Sequence, residues 1–189
     1  MFNDRYGLMQ AVIEGRKTMA MMLINIKSTS DVQVRIFAGY VQIIGRSGDV
    51  CAEKKLSYKV GEVVAVAQRY QDIFDYSNCV NPYAWEDDDK PSGWTNKMLT
   101  KAELMPHQIR ITGIKCERLQ DISEEDCMKE GILGDVEYDK YEVYGLFGNS
   151  DDGFDTPREA FASLIDKVSG RGTWKRNPWV VAYEFELVK

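Results

Sequence analysis

The chain has 189 residues, of which 44% are hydrophobic and 29% charged, as expected of one folded domain with a sizeable core. It has no apolar run of about eighteen residues, no basic N-terminal segment followed by an apolar stretch, and no closely spaced cysteines. We therefore expect a cytoplasmic protein without a membrane span, secretory signal, disulfide frame or zinc site. The net charge of −6 excludes broad binding to duplex DNA, although a local basic pocket for one nucleotide or a short RNA is compatible with it.

The first predicted element is a short amphipathic helix over residues 6–14, because apolar side chains recur there at helical spacing. Gly15 lies where this helix should end, since glycine enters the left-handed conformation without a steric penalty. A nearly unbroken apolar run then predicts a strand over residues 19–26. Arg16 and Lys17 are two cations at this helix-to-strand junction. The alternative is that Lys17 is a solvated loop lysine.

Several short strands follow in the first two thirds of the chain. Residues 32–45 are predicted to form one strand bent at Gly39, and residues 63–66 a buried strand after a turn. Residues 108–118 begin with alternating polar and apolar side chains, as a half-buried strand does. Strands separated by short turns favour a small barrel or closed sheet.

Two stretches, residues 70–106 and 133–155, interrupt this pattern and are predicted to be loop-rich insertions. The first is rich in aromatic residues and contains an acidic triplet at 87–89, which we interpret as a solvated turn, because no matching oxygen ligands accompany it. His107 is the single histidine and has no partner at ligand spacing. A Ser-His-Asp triad and a histidine metal site are therefore not expected. We also expect no bound cofactor.

Two helices are predicted in the second half of the chain. The first has Ser123 as its N-cap and should end at Gly131, which places Glu130 in the last turn. A carboxylate there faces the negative end of the helix dipole unless a cation or water compensates, and the alternative is a solvated glutamate. The second helix starts at Thr156 and ends at Gly170, with a buried stripe of Phe161, Leu164, Ile165 and Val168.

The C-terminal part of the chain combines a basic, aromatic loop over residues 171–179 with a final alternating strand. Arg176 and the other cations of the loop are candidates for phosphate contacts, and Trp174 for stacking on a base. The alternative is that Trp174 and Trp179 are core anchors, an interpretation we favour for Trp179.

Four stretches of the chain, in the right order, resemble the ASCH domain family, small relatives of the PUA RNA-binding barrel. The likeness is to longer bacterial and phage members, and it comprises Gly15-Arg16-Lys17-Thr18 and residues 58–66, 117–132 and 174–185. The resemblance implies an α+β fold in which a small PUA-like β-barrel has helices flanking its mouth. Residues 1–189 would then be a single domain with the two insertions, and a charged cleft would bind RNA or a nucleoside.

The resemblance also implies an alternative activity. Some small bacterial members hydrolyse acetylated cytidine, and a relative has been described as a ribonuclease. In the amidohydrolases a lysine acts with a threonine three residues later and with a glutamate near the end of the second helix. Lys17 matches that lysine and Glu130 that glutamate, whereas Ala20 stands at the threonine position.

Further departures concern positions that are usually charged in the longer members. Met21 and Met22 stand where arginines are usual, and Ala67 and Gln68 where an Arg-Glu pair is usual. An amidohydrolase needs donors aimed at the oxyanion, and the loss of one donor costs on the order of a hundredfold in rate. We therefore favour a binding protein over an enzyme.

These considerations define the candidate site. Under the binding hypothesis the ligand-binding residues are Arg16, Lys17, Thr18, Gln68, Glu130, Trp174 and Arg176. Under the amidohydrolase hypothesis Lys17 is the nucleophile or base, and Glu130 accepts or orients the proton. A third alternative is that Lys17 and Glu130 form an ion pair that holds the mouth of the barrel closed. The oligomeric state is left open.

Overall fold

The computed structural model describes residues 4–24, 32–73, 92–144 and 153–188. The fold is α+β, as predicted. The helices are α1 (Leu8–Ile13), α2 (Tyr70–Ile73), α3 (Glu124–Lys129), α4 (Pro157–Ser169) and α5 (Thr173–Arg176). The strands are β1 (Met19–Leu23), β2 (Gln33–Phe37), β3 (Tyr40–Ile44), β4 (Val50–Lys55), β5 (Val63–Ala65), β6 (Gln108–Arg118), β7 (Leu133–Asp135), β8 (Lys140–Glu142) and β9 (Trp179–Leu187). Short 3₁₀-helices cover Asp4–Tyr6, Lys97–Leu99, Ala102–Leu104 and Leu119–Asp121.

A curled antiparallel sheet with strand order β1-β9-β6-β5 forms half a barrel. Its longest ladder joins β6 and β9, from Ile109 opposite Leu187 to Arg118 opposite Trp179. The register of this ladder shifts between Ile111 and Gly113, and such a bulge bends the strand and increases its twist. The prediction of a small barrel-like sheet is confirmed at this level, and β6 has the predicted bounds.

Strands β2, β3 and β4 form a separate antiparallel sheet in that order. The prediction of one bent strand over residues 32–45 is wrong, because the chain reverses at Ala38 and Gly39 to pair β2 with β3. Both turn residues have positive φ angles, 50° and 82°, as a two-residue type I′ hairpin turn requires.

The described part of the second insertion is also more regular than predicted. Strands β7 and β8 pair as a hairpin, and Asp135 Oδ1 accepts hydrogen bonds from the backbone N–H groups of Glu137 and Tyr138 in its turn. The basic stretch that follows α4 contains α5 and is not a continuous loop. In both places a few hydrogen bonds organise a segment that is too short for periodicity to reveal.

The predicted helix ends agree with the structure. At the end of α1, Gly15 N–H donates to Val12 O and Arg16 N–H to Ala11 O, a Schellman motif with Gly15 at φ 72°. Ser123 Oγ accepts from Asp126 N–H at 3.1 Å, and Thr156 Oγ1 from Glu159 N–H at 3.2 Å. These local signals fix where the chain leaves α1 and enters α3 and α4.

The core has two parts, divided by the curled sheet. One packs α3 and α4 against the sheet and includes Leu119, Ile122, Phe161, Leu164, Ile165 and Val180. The other fills the concave side and includes Val12, Val41, Val66, Ile109, Ile111, Tyr183 and Phe185. Val168 was predicted to be buried, but it lies in the last turn of α4 and is 42% exposed.

Some predictions concern residues outside the described ranges. These are the end of the first predicted strand at 25–26, residues 74–91 of the first insertion with the acidic triplet, and residues 145–152 of the second insertion. The described edge of the first insertion is anchored by Tyr70, which is buried and whose hydroxyl accepts a hydrogen bond from Lys101 N–H at 2.9 Å. Among the described residues, no helix has the length and apolarity to cross a bilayer.

Candidate functional site

The buried contact between Lys17 and Glu130 is the most distinctive polar feature of the protein. Lys17 Nζ donates a hydrogen bond of 2.8 Å to the backbone oxygen of Glu130 and forms an ion pair with Glu130 Oε2. The two residues are 3% and 6% exposed. Lys17 and Glu130 are therefore in buried contact, and the alternatives of a solvated lysine and a solvated glutamate are wrong.

The ion pair has an electrostatic reason at the end of α3. Glu130 is the C-cap of that helix, where the free carbonyl groups and the carboxylate are both negative. The positive ammonium group of Lys17 compensates both negative groups, because it contacts the backbone oxygen and the carboxylate of the same residue. Next to it, Thr18 N–H donates to Lys129 O at 2.9 Å, so backbone contacts join the start of β1 to the end of α3.

A cavity of about 470 Å³ occupies the concave side of the curled sheet. Alternate residues of β6 and β9 face this space, consecutive residues of β1 and of the segment that begins with β5 form its edges, and Tyr58 and Ser169 complete the wall. The lining residues are Ala20, Met21, Met22, Leu23, Tyr58, Val64, Ala65, Val66, Ala67, Ile109, Ile111, Ser169, Tyr183 and Phe185. None of these described lining residues is charged, and neither Lys17 nor Glu130 is one of them.

The apolar wall includes positions where the resemblance leads one to expect polar groups. Ala20, Met21, Met22 and Ala67 all line the cavity. Their side chains offer no hydrogen-bond donor and no charge. The cavity can therefore bind the flat or apolar part of a ligand, but these four side chains cannot stabilise an oxyanion.

Two tyrosines and one glutamine supply polar groups close to the cavity. The rings of Tyr58 and Tyr183 meet edge to face with centroids 5.4 Å apart, and Tyr183 Oη accepts from Ser57 N–H at 3.1 Å. Gln68 follows the lining residue Ala67 and is buried. Its Oε1, like Glu130 Oε1, accepts no hydrogen bond from the residues that the structure describes. A buried acceptor without a partner is costly and calls for an explanation.

An exposed basic segment adjoins the cavity at Ser169. Ser169 is the last residue of α4 and lines the cavity, and the chain continues directly into the turn and α5. The exposed cations on either side of it, which we call the basic segment, are Lys167, Arg171, Lys175 and Arg176. Its conformation is fixed by hydrogen bonds, since Thr173 Oγ1 donates to Gly170 O at 2.6 Å and accepts from Arg176 Nη2 at 2.9 Å.

Asp166 holds the basic segment on the end of α4. Its carboxylate accepts hydrogen bonds from the backbone N–H groups of Trp174 at 2.8 Å and Gly172 at 2.9 Å. These bonds, that of Trp174 first, lower the pKa of Asp166 below its usual value. The ionised carboxylate thereby stabilises the turn that carries Trp174 and Arg176.

The remaining predicted site residues have other immediate partners. Trp174 packs edge to face on Phe161, with centroids 6.1 Å apart, and Arg158 lies over its ring at 5.3 Å. Arg16 forms an exposed ion pair with Glu14. Thr18 contributes backbone bonds, including one from Phe185 N–H to its carbonyl oxygen. The structure thus joins Lys17 with Glu130, and it places Trp174 and Arg176 together on α5.

Trp179 packs against the concave core, and Arg118 lies over its ring at 4.6 Å. This contact agrees with the core role that we favoured. The cavity residues Tyr58, Tyr183 and Phe185 were not chosen as site residues from the sequence, although the alternation of Tyr183 and Phe185 in the last strand is a signal that they share a face.

Cys116 and Cys127 are poor candidates for nucleophilic chemistry. Burial raises the pKa of Cys116 to about 11 and that of Cys127 to about 12, so both thiols stay protonated near neutral pH and are poor nucleophiles. Within the described ranges, no group of three or more His, Cys, Asp and Glu residues is arranged to hold a metal ion. Comparisons of the chain with protein-family models, curated proteins and solved structures gave no match.

We expect the ion pair to be strongly coupled energetically. Lys17→Met and Glu130→Gln should each lower the free energy of unfolding by about 3–5 kcal/mol, because each leaves the partner without its buried counter-charge. The double variant should lose less than the sum of the two, by about 0.5–3 kcal/mol. Urea unfolding followed by tryptophan fluorescence measures all three.

The exposed pair of Arg110 and Glu186 is the control, and Arg110→Gln should change stability by less than about 1 kcal/mol. Additive effects at residues 17 and 130 would contradict the coupling.

The lowered pKa of Asp166 predicts a pH-dependent contribution to stability. In the unfolded chain the aspartic acid carboxyl group has a pKa of about 3.9. The stabilisation is therefore fully present above that pH, and it is lost as the pH falls through the lower pKa of the folded state. Asp166→Asn should therefore lower the free energy of unfolding at pH 7, and the difference from wild type should shrink at about pH 3. Urea unfolding at both pH values measures this, with Asp121→Asn as the control. A difference that is the same at both pH values would contradict the assignment.

Proposed function

We propose that this protein is an ASCH-type binding protein for RNA or a nucleoside, in which the cavity of the curled sheet takes a base and the basic segment contacts phosphate. The observation that carries the proposal is the adjacency of the two parts at Ser169. Ser169 lines an uncharged, partly aromatic cavity of about 470 Å³ and lies within the ten-residue stretch that carries four exposed cations.

The size and wall of the cavity suit a nucleobase. Small-molecule sites are typically cavities of about 300–1,000 Å³ with mainly apolar walls and few polar groups. Tyr58, Tyr183 and Phe185 supply aromatic rings, and proteins that bind single nucleotides commonly stack bases on such rings. The absence of charge among the described lining residues favours a neutral base inside the cavity over a phosphate.

The basic segment supplies positive charge, which the described lining residues of the cavity do not carry. The chain as a whole is acidic, with a net charge of −6, whereas Lys167, Arg171, Lys175 and Arg176 are grouped in ten residues with Asp166 as the nearest acid in the sequence. Exposed cations of this kind bind phosphate and position a nucleic acid without reading its sequence.

Gln68 is the polar group best suited to reading a base. It is buried next to the lining residue Ala67, and its Oε1 has no hydrogen-bond partner among the described residues. A glutamine amide offers both an acceptor and donors, which match the polar edge of a base. Gln68 does not itself line the described cavity, so a bound base would satisfy this atom only by reaching past Ala67.

Membership of the ASCH family and a PUA-like barrel are part of the proposal. The contact between Lys17 and Glu130 supports them, because the resemblance pairs these two positions, which are far apart in the sequence. The half-barrel sheet also supports them, since the resemblance implies a barrel with helices at its mouth.

Binding of ribonucleoside 5′-monophosphates tests the proposal. We expect calorimetry to detect one of the four common monophosphates at or below about 1 mM, with weaker binding of the matching nucleoside. The double variant Arg171→Gln, Lys175→Gln should reduce the affinity for the monophosphate to that for the nucleoside, because it removes two phosphate contacts. Ala20→Phe should abolish both by filling the cavity.

The control for the charge change is Lys101→Gln, which removes an exposed cation outside the basic segment and should leave binding unchanged. If neither nucleosides nor monophosphates bind, or if Ala20→Phe binds as well as wild type while remaining folded by circular dichroism, the proposal is wrong.

One observation favours amide hydrolysis as a second candidate. Lys17 and Glu130 are in contact, as a lysine nucleophile or base and its proton acceptor must be. However, Ala20 lines the cavity where the resemblance calls for a threonine, and the pair itself is not part of the described cavity wall. Catalysis would therefore lack a side-chain donor for the oxyanion.

We accordingly expect no turnover of acetylated cytidine. The purified protein and the Lys17→Ala variant, incubated with this nucleoside and analysed by chromatography, should both leave it intact, because Lys17 and Glu130 do not line the described cavity and the missing donor costs a further factor on the order of a hundred in rate. Release of cytidine by wild type, lost in Lys17→Ala, would establish the amidohydrolase in place of the binding protein. A third variant, Ala20→Thr, tests whether the missing donor is the cause of inactivity.

A further inference from the structure

We propose that the outer face of the β2-β3-β4 sheet binds a single strand of RNA that continues from the base in the cavity. This inference rests on the proposed function and narrows its ligand from a free nucleoside to an RNA strand. The side chains that carry it belong neither to the cavity wall nor to the basic segment. They are Arg35, Phe37, Tyr40, Gln42, Glu53 and Lys55.

Strand register places these six side chains on one face in two rows. Phe37 pairs with Tyr40, and Tyr40 with Lys55, in the row next to the hairpin turn. Arg35, Gln42 and Glu53 form the second row, in which Arg35 Nε donates to Gln42 Oε1 at 2.9 Å and Gln42 donates to Glu53. The opposite face contains Val41 and Ile43, which are buried in the core.

The first row presents aromatic rings to solvent. Phe37 is 59% exposed and Tyr40 is 40% exposed, although large apolar side chains normally lie in the core. The guanidinium group of Arg35 lies 5.6 Å from the centroid of the Phe37 ring, and Lys55 is at the end of the same row. Rings on a sheet face with cations beside them provide base stacking and phosphate contacts together.

Charge favours a polyanion as the occupant. Residues 33–55 contain four cations and two carboxylates in a chain whose net charge is −6. One of these carboxylates, Glu53, is on the face but is held by the hydrogen bond from Gln42. The local excess of positive charge would repel a cationic partner and attract phosphates.

The aromatic row lies at the end of the sheet that adjoins the cavity. Leu56 N–H donates to Gly39 O at 3.0 Å, so the hairpin turn is attached to the segment that follows β4. Lys55 lines a second, small cavity of about 40 Å³ together with Met22 and Tyr183, and both of these also line the main cavity. A strand that leaves the cavity at Met22 and Tyr183 would reach Phe37 and Tyr40 by passing Lys55 at the edge of the sheet.

A second copy of the chain is the competing occupant of this sheet. Every residue of β4 is exposed, and an open strand edge can pair with another chain. However, β4 ends in Lys54 and Lys55, and lysines on an edge strand oppose such pairing. The charge and the exposed rings thus favour RNA.

The experiment uses the full chain and a fluorescein-labelled oligouridylate of about ten nucleotides, which is within the span of one such binding surface. We expect the double variant Phe37→Ala, Tyr40→Ala to weaken binding by about tenfold or more in fluorescence anisotropy, since each stacked base contributes substantially. Tyr138→Ala, which removes an exposed tyrosine from the β7-β8 turn, is the matched control and should leave binding unchanged.

Two further measurements test the mode of binding. The double variant Arg35→Gln, Lys55→Gln should reduce the slope of log affinity against log salt by about 1.4, which corresponds to two lost phosphate contacts on a single strand. A duplex of the same length should bind at least about tenfold more weakly, because pairing hides the base faces. Circular dichroism and urea unfolding verify that these surface variants remain folded.

Equal binding of the oligonucleotide by wild type and the Phe37, Tyr40 variant would overturn the proposal. So would a concentration-dependent dimer in sedimentation that this variant abolishes, because the face would then be a contact between copies. The monophosphate titration separates this inference from the proposed function. If the monophosphate binds but the double variant of Phe37 and Tyr40 binds the oligonucleotide as tightly as wild type, only the sheet proposal fails. If the oligonucleotide needs both rings but no monophosphate binds, the cavity proposal fails and the sheet still binds RNA.

Discussion

The ladder between β6 and β9 is the constraint on which the rest of the fold depends. Strand β1 pairs only with β9 in the curled sheet, and β5 only with β6, so both edges take their positions from this central pair. The bulge between Ile111 and Gly113 bends the ladder at mid-length, and a Cβ atom at Gly113 would lie 2.7 Å from Glu184 Oε2. The bend brings residues of both edge strands to one cavity. Without this curl, the same strands would form an open sheet with no concave side.

The ion pair of Lys17 and Glu130 fixes the helices relative to that sheet. A buried pair contributes little net stability compared with apolar residues of the same size, because both charges lose their hydration. The pair instead favours one packing arrangement over others, because any arrangement that separates Lys17 from Glu130 leaves a charge buried without its partner. The Cβ position at Gly131 lies 3.5 Å from Lys17 Cβ, so the end of α3 approaches the start of β1 closely. We therefore attribute the exact seating of α3 on this junction to electrostatics as much as to packing.

Local signals in the sequence predicted the parts of the fold that local interactions determine. Gly15, Ser123 and Thr156 fixed helix ends through one or two hydrogen bonds each, and these predictions were confirmed. The reversal at Ala38 escaped prediction because alanine rarely adopts a positive φ angle, and the neighbouring Gly39 alone also fits a bend. A charged cleft was expected from the resemblance, but the uncharged lining of the cavity was not, because a sheet curl joins residues that are far apart in the sequence. The burial of Lys17 opposed the general rule for lysine, and only its partner 113 residues away explains it.

The distribution of charge determines which chemistry the molecule is suited to. The one deeply buried ammonium group in this site is already engaged by Glu130, whereas the cations of the basic segment remain in water. A charge in water acts weakly and is screened within about 8–10 Å at physiological salt, which suits reversible contact with phosphate. Transition-state stabilisation requires the opposite arrangement, in which fixed donors face the reacting atoms in a dry site. The cavity here is lined by Ala20, Met22 and Ala67, so its contribution is shape and apolar contact. This division of polar surface and apolar cavity is the physical basis of the base recognition that we propose.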